Sequence, residues 1–456
     1  MIGPMRHEKN NLGREGEHGT ALIVTLLFLV TLGVLATGLL FTVQLEMQSS
    51  ASYKYSQQAF YVANASAQKA VVWFNNSYSP HVPASDYNVT TVPVRYSGRS
   101  VLLAGQTGSS SAYPESGVMA GFSTEFSNKS LQADALNSGV YATNATLLKY
   151  TPATFINTTT FLTYTSAMER WRVDSIGYWG TVARPMGTAQ ISTVIENSGN
   201  AFFDRAIWGI DSVSLSGNAS TDSFDPALGP YGGLNVGNRG SIGSNGSVSF
   251  NGSVSVHGDV AYGPTGTFSG GDVTGQIIHM SQPRFFPPLP SFAVGATNIS
   301  LGGHSSQTIP AGSYGDISLG SHGVLTLSGG LYYVNSISIG AQAQLVISGP
   351  TTIFVKSALD LGGQGVANPT ALASNLNIFY AGTNAVSMRG GSQFSAELYA
   401  PNATVTMGGN SEFFGSFIGK TISNDGTPDI NFDEGSLRNN LIQRPFRVIN
   451  WSQTVY

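Results

Sequence analysis

Gly19-Thr20-Ala21-Leu22-Ile23-Val24-Thr25-Leu26-Leu27-Phe28-Leu29-Val30-Thr31-Leu32-Gly33-Val34-Leu35-Ala36-Thr37-Gly38-Leu39-Leu40-Phe41-Thr42-Val43 opens a chain that is otherwise poor in long apolar runs. From Ala21 to Val43 it carries no charge, and it exceeds the roughly 20 residues a helix needs to cross a bilayer's hydrocarbon core. A secretory signal would have a shorter apolar core of roughly 7 to 15 residues, followed by a small-residue cleavage site. Here the sequence continues without Gly or Pro from Gln44 to Phe74, with Ala59, Ala63, Ala67, Ala70 and Phe74 at helical spacing. One helix is therefore expected to run from the membrane into solvent. Arg6, Lys9 and Arg14 precede the run and only Lys54 follows closely. The positive-inside bias then places the leader in the cytoplasm and the bulk of the chain outside. An uncut signal anchor is the plainer alternative.

The join Gly19-Thr20-Ala21-Leu22-Ile23-Val24, followed by a helix through Gln57-Gln58-Ala59-Phe60-Tyr61-Val62-Ala63, resembles the N-terminus of type IV pilins, and more narrowly that of PilX-type minor pilins. The resemblance covers residues up to about 75. It implies that a prepilin peptidase cuts after Gly19, that Thr20 begins the mature chain, and that the stem waits in the bacterial inner membrane before joining other pilins or pseudopilins in a fibre. Most members carry a glutamate at the fifth mature position, where this chain has Val24. A carboxylate in an apolar bundle is costly unless a neighbouring amine pairs with it. Its loss fits a tip subunit, which has no subunit above it.

Composition bounds the remainder. Only 10% of residues are charged, Gly numbers 55, and hydrophobic residues still make up 41%. That mixture suits many short strands joined by tight turns. The net charge of −4, with no stripe of Lys or Arg, argues against nucleic-acid binding. There is no cysteine, so stability must come from a long core and thiolate metal sites are excluded.

Beyond residue 240 the sequence repeats an apolar-x-apolar pattern between Gly- and Asn-bearing turns. Val248/Phe250 and Val254/Val256 begin it, and Leu331/Tyr333, Ile337/Ile339, Leu345/Ile347, Ile353/Val355 and Leu359/Leu361 continue it. Positions 324 and 345 are 21 apart, while 331 to 353 and 337 to 359 are each 22. Later, Ile378, Leu398 and Ile418 are 20 apart, and Val386 to Val405 and Phe394 to Phe413 are 19. Stacked coils of roughly 20 residues suit a right-handed parallel β-helix, a solenoid with one continuous core. In each pair both apolar side chains point inward and the residue between them faces water. Corners fall at Gly329-Gly330, Gly362-Gly363, Gly390-Gly391 and Gly408-Gly409-Asn410. A β-sandwich is the alternative.

The expected fold is thus mainly β with a long N-terminal α-helix: a leader over 1–19, a pilin helix over 20–75 spanning the membrane at 21–43, a small pilin-like β region over 76–200, a Gly-rich solenoid over 201–435, and a C-terminal cap over 436–456. Thr159 to Tyr164, Arg170 to Val173 and Ala189 to Ile195 alternate like antiparallel strands, and that region is expected to cover one end of the solenoid. Gln282 to Pro290 is too rich in proline for a strand and is expected to be an excursion. The phrases Asn375 to Gly382, Ala396 to Asn402 and Phe413 to Gly419 resemble a Gly-rich domain found downstream of PilX-type N-termini, which implies no activity.

Few residues suggest chemistry. Asp425, Asp429, Asn431, Asp433 and Glu434 form the densest group of oxygen ligands and the best Ca²⁺ candidate, although the same residues are expected at turns. Gly415 to Thr421 imitates a phosphate loop but has three residues between its glycines where four are required. Asp316, Asp360 and Glu397 are too scattered for an acid and base pair, and His257, His279, His304 and His322 sit in turns. Tyr332, Tyr333, Phe379, Tyr380, Tyr399, Phe413 and Phe414 could offer an aromatic binding face. The expectation is a non-enzymatic structural protein without cofactors, which primes pilus assembly or contacts a surface or polysaccharide. A membrane-anchored adhesin and a polysaccharide-acting β-helix enzyme are the alternatives.

Overall fold

A computed structural model describes residues 15–132, 138–362, 366–368, 372–389 and 394–455. The leader up to Arg14 and the expected corners at Gly363, Gly390 and Gly391 lie outside the described residues. The fold is mainly β with one long N-terminal helix.

Helix α1 (Glu15–Asn76) is continuous over 62 residues, roughly 90 Å at the usual rise. Its apolar half keeps its polar side chains satisfied internally. The hydroxyls of Thr25, Thr31 and Thr37 donate to the carbonyls of Ala21, Phe28 and Gly33 at 2.9, 2.9 and 2.6 Å. From Ala59 onward the character changes: Ala59, Ala63, Ala67 and Ala70 are buried and form the flat side of the helix. Helix α2 (Ser116–Phe126) adds Phe122 and Phe126 to the same core.

The Ala side rests on an antiparallel sheet. Its long strands are β1 (Ser138–Ile156), β2 (Thr163–Thr181) and β3 (Arg184–Ala201). Burial alternates along β2, placing Trp171 and Val173 under the helix. The close approach depends on glycine. A Cβ at Gly177 would overlap the Ala59 carbonyl oxygen and the Ala63 nitrogen, and one at Gly187 would overlap the Tyr55 backbone. Thr159 to Tyr164, expected as strand, instead contains the β1–β2 turn, because Asn157 Oδ1 accepts from the backbone N–H groups of Thr159 and Thr160 at 2.9 and 3.1 Å.

After Ala206 every sheet pairing before the last strand is parallel, apart from two isolated bridges in the 223–237 loop. Strands β4 (Ile207–Gly217) and β5 (Ser220–Phe224) come first. The chain then stacks outward through Ile242–Ser244 and Val260–Tyr262 to Ile277–His279. A strand-free segment follows. Stacking resumes at Ile299–Leu301 and proceeds through β6 (Gly312–Leu319), β7 (Gly330–Ile339), β8 (Thr351–Leu361), β9 (Leu376–Tyr380), β10 (Val386–Arg389), β11 (Phe394–Gly409) and β12 (Glu412–Gly426), with β13 (Asp429–Asp433) alongside. Strand β12 then pairs with β4. The first-made layer therefore lies in the middle of the stack, between 242–256 on one side and 412–433 on the other.

One inward row runs through the stack in register: Tyr332, Ile353, Ile378, Leu398, Phe417, Ile207, Ile242, Val260 and Ile277. All but Ile277 are buried. This row corrects two details of the sequence reading. Tyr332 and Val334 point inward where Leu331 and Tyr333 were expected, and Phe417 rather than Ile418 lies opposite Leu398. The adjacent outward row, Tyr333, Phe354, Phe379, Tyr399, Ile418 and Trp208, forms a second apolar core, although Phe354, between Ile353 and Val355, was expected to face water.

The segment expected to cap the stack does something else. Residues 441–455 form β14 (Leu441–Val455), which pairs antiparallel with β3 in the sheet under the helix. Backbone ladder bonding to a long open strand outweighs end-capping there. The sheet, in turn, meets the flank of the stack rather than its end: Phe161 at the β1–β2 turn packs on Phe379 and Tyr399 at ring distances of 5.1 and 5.3 Å.

Candidate functional site

The stem is the surface with the clearest need for a partner. Leu22, Leu26, Phe28, Leu29, Leu35 and Phe41 are each more than 60% exposed, so this apolar half has no covering among the described residues. By length and composition the helix can cross a membrane. Gly19 and Thr20 lie on its exposed N-terminal part, within the helix.

The Ca²⁺ candidates are not gathered into a site. Asp425 is held by Arg389, and Asp429 accepts from Ser220 Oγ at 2.5 Å. Asp433 is buried and accepts from the backbone N–H groups of Ala373 and Gly435, each at 2.8 Å. Glu434 faces Arg239 and accepts from Ser223 Oγ at 2.9 Å. Among the described residues no group of three or more His, Asp or Glu side chains could hold a metal ion. Successive residues of a strand face opposite ways, so density along the sequence did not become density in space. The phosphate-loop mimic lies wholly within β12, with no helix after it.

The aromatic binding face is also overturned. Tyr332, Phe379, Tyr380, Tyr399, Phe413 and Phe414 are all buried, and Tyr333 is half-buried. A strap over 280–297 covers the outward row as it carries the chain from one end of the stack to the other. Arg284 begins it, pairing with Asp204, donating to the Phe202 carbonyl at 2.7 Å and stacking on Trp208 and Phe286. Tyr399 Oη donates to the Pro287 carbonyl at 2.5 Å, and Phe292 packs on Tyr333 and Phe354 at 5.6 and 5.4 Å. Replacing Tyr399 with Phe is expected to cost about 1 kcal/mol, the usual value of one such bond. The loss should appear as faster proteolysis within 280–297 and a lower unfolding midpoint.

Where sheet and stack meet, Glu397 is fully buried. Asn440, held at positive φ, donates to its Oε2 at 2.5 Å and to Asn377 Oδ1 at 2.9 Å. Oε1 and the nearby Ser436 hydroxyl have no partner at full hydrogen-bond geometry, although the hydroxyl lies close enough to favour the ionised carboxyl. Burial pushes the Glu397 carboxyl up to about 8, against the pull of Ser436 and Asn440, so it is protonated at neutral pH. A cleft of about 610 Å³ opens beside it, lined by hydroxyl and amide side chains including Thr163, Thr351, Asn377 and Asn439. Asp316 is exposed, with Asn335 and Ser336 donating to it at 2.7 and 2.6 Å, and does not pair with Glu397. His304 and His322 are turn residues at positive φ whose ring centroids lie 4.1 Å apart with the planes tilted by 33°. Two groups escaped the sequence reading. They are buried Glu169, which accepts from Tyr78 Oη and Trp171 Nε1 at 2.8 Å each, and His81 between Asp86 and Glu115. Isolated charges in unremarkable segments gave no signal for either.

Residues 303–440 match a family described as a domain of unknown function, DUF7305. Among solved structures, the competence-associated pilin ComZ from Thermus thermophilus aligns over 88% of this chain and 98% of its own, with 14% identity and a TM-score of 0.29. An ice-binding protein from the Antarctic ascomycete Antarctomyces psychrotrophicus aligns over 52% of this chain and 99% of its own, with 14% identity and a TM-score of 0.25. No curated protein sequence matches the chain.

Proposed function

We propose that the chain is a pilin-like structural protein of a type IV pilus or a related assembly system, of the PilX-type minor pilin or pseudopilin class. The observation that supports it is the division of α1. One half is apolar on all sides and uncovered, while the other is seated by an alanine face on a sheet of the same chain. A helix built this way can wait in a membrane as a single-pass anchor, N-terminus inward, and later bundle with similar stems without disturbing the body it carries.

In this reading prepilin peptidase cuts between Gly19 and Thr20, other pilins or pseudopilins pack against the stem, and the distal part is a right-handed parallel β-helix displayed near the fibre tip. It primes assembly or touches a surface or polysaccharide. The reading assigns no catalytic residue and no cofactor. N-terminal sequencing of the protein from sheared fibres tests it. The mature chain should begin at Thr20, and Gly19→Val should accumulate uncut in the membrane and disappear from fibres. A wild-type chain that retains its leader and never enters fibres would refute the proposal and favour the anchored adhesin.

A further inference from the structure

His81 lies just beyond the end of α1, with its side chain only 11% exposed. Its Nδ1 is 2.8 Å from Glu115 Oε1 and its Nε2 is 2.7 Å from Asp86 Oδ2. Ionised carboxylates only accept hydrogen bonds, so both ring nitrogens must donate and the ring is an imidazolium. The contact ties together the loop leaving α1, the short turn Ala84–Asp86, and the residue that precedes α2.

The other titratable groups around His81 are known. The rings of Tyr87 and Tyr113 stand edge-on at 5.7 and 6.3 Å, and Tyr150 Oη donates to the His81 carbonyl at 2.7 Å. Beneath them, Glu169 takes hydrogen bonds from Tyr78 and Trp171, and its Oε1 has no partner. The four tyrosines are all raised by burial and stay neutral.

We propose that His81 is a proton-operated latch: protonated, it pins segment 77–126 over the end of α1, and deprotonated, it releases that segment. A neutral imidazole keeps only one donor, so one carboxylate would face a ring lone pair. Burial opposes the charged ring, but hydrogen bonds to Asp86 and Glu115 overcome this and raise its pKa above 6.5. A raised histidine stabilises the closed form fully below its unfolded value and loses that contribution as pH rises through the raised one. Glu169 acts in the same direction. Burial pushes it up to about 7, and above that pH it places an unpaired charge under the same segment.

Hydrogen exchange followed by mass spectrometry on the full chain in detergent, corrected for intrinsic rates, tests the latch. Between about pH 6 and about pH 8.5, peptides from 77–126 should lose about tenfold in protection, while peptides from β6, which does not pair with the Glu397 strand, change less. His81→Gln should show reduced protection already at about pH 6, leaving only the smaller change due to Glu169, and Asp86→Asn should lower the pH of the transition. Protection of 77–126 that does not change with pH would overturn the proposal. So would a His81 ring titration, read by NMR on the wild-type chain, with a midpoint below about 6.5. That measurement decides the matter even if the variants misfold.

Discussion

Thermal unfolding is expected to be most resistant near about pH 5 and to weaken steadily up to about pH 8, the reverse of a protein held together by ionised carboxylates. The sign follows from two buried acids. Glu397 titrates at about 8 and Glu169 at about 7 in the folded chain, against an ordinary value of 4.5. Between 4.5 and those values the folded state keeps protons that the unfolded state has released, so stability falls as pH rises and levels off above them. At about 1.4 kcal/mol per unit, the Glu397 shift alone corresponds to a loss on the order of 3 to 5 kcal/mol. Groups with lowered values, such as the partly exposed Glu125 beside Lys69 and the half-buried Asp225 beside Arg438, matter only at lower pH. Glu397→Gln supplies the control. Its amide cannot ionise, can still accept from Asn440, and can donate where Oε1 now lacks a partner. Calorimetry should find it near wild type at about pH 5 and more stable by several kcal/mol at about pH 8.5. A wild-type midpoint that rises over this range would show that Glu397 is ionised in the folded chain.

Replacing Gly177 with valine is expected to be the most damaging single change in the N-terminal half. Its added carbon would meet the backbone of Ala59 and Ala63 rather than a side chain that can swing aside. Overpacking usually costs roughly 1 to 3 kcal/mol. Since neither helix nor sheet can yield here without losing the Ala face, a cost on the order of 3 to 5 kcal/mol is expected, or failure to fold. Gly121 in α2 is the control, because a carbon there would touch only the Trp73 ring, at 4.0 Å. Gly121→Ala should be neutral or stabilise by up to about 1 kcal/mol. Denaturant titration in detergent separates the two. Equal effects would mean that α1 lies farther from β2 than described.

The features readable in the sequence were those whose signal is local. The uncharged run to Val43 and the alanines at helical spacing foretold both halves of α1, because a helix repeats within a few residues. The apolar-x-apolar pattern likewise pointed to stacked strands, although β8, β11 and β12 run to 11, 16 and 15 residues rather than short rungs. Reading failed where burial came from distant chain. Leu331-Tyr332-Tyr333-Val334 is apolar throughout, since a strap from 280–297 covers its outer side, and alternation vanishes when both faces are buried. Strand β14 carries charged and aromatic residues that suggest a cap, and nothing near it announces pairing with β3. The candidate acids showed the opposite error: Asp429 and Asp433 are close in sequence, yet one is exposed and the other enclosed.

Strands β4 and β5 end with a neighbour on each side, and one of those neighbours is made some two hundred residues later. The sheet beneath α1 likewise receives its edge strand from residues 441–455. Synthesis order and spatial order therefore disagree. Loop closures this long must precede the contacts that reward them, which makes maturation slow. Until residues 412–455 have been made, neither β4 nor β3 has its full set of neighbours, so the stack and the sheet under α1 can close only after that much of the chain is available.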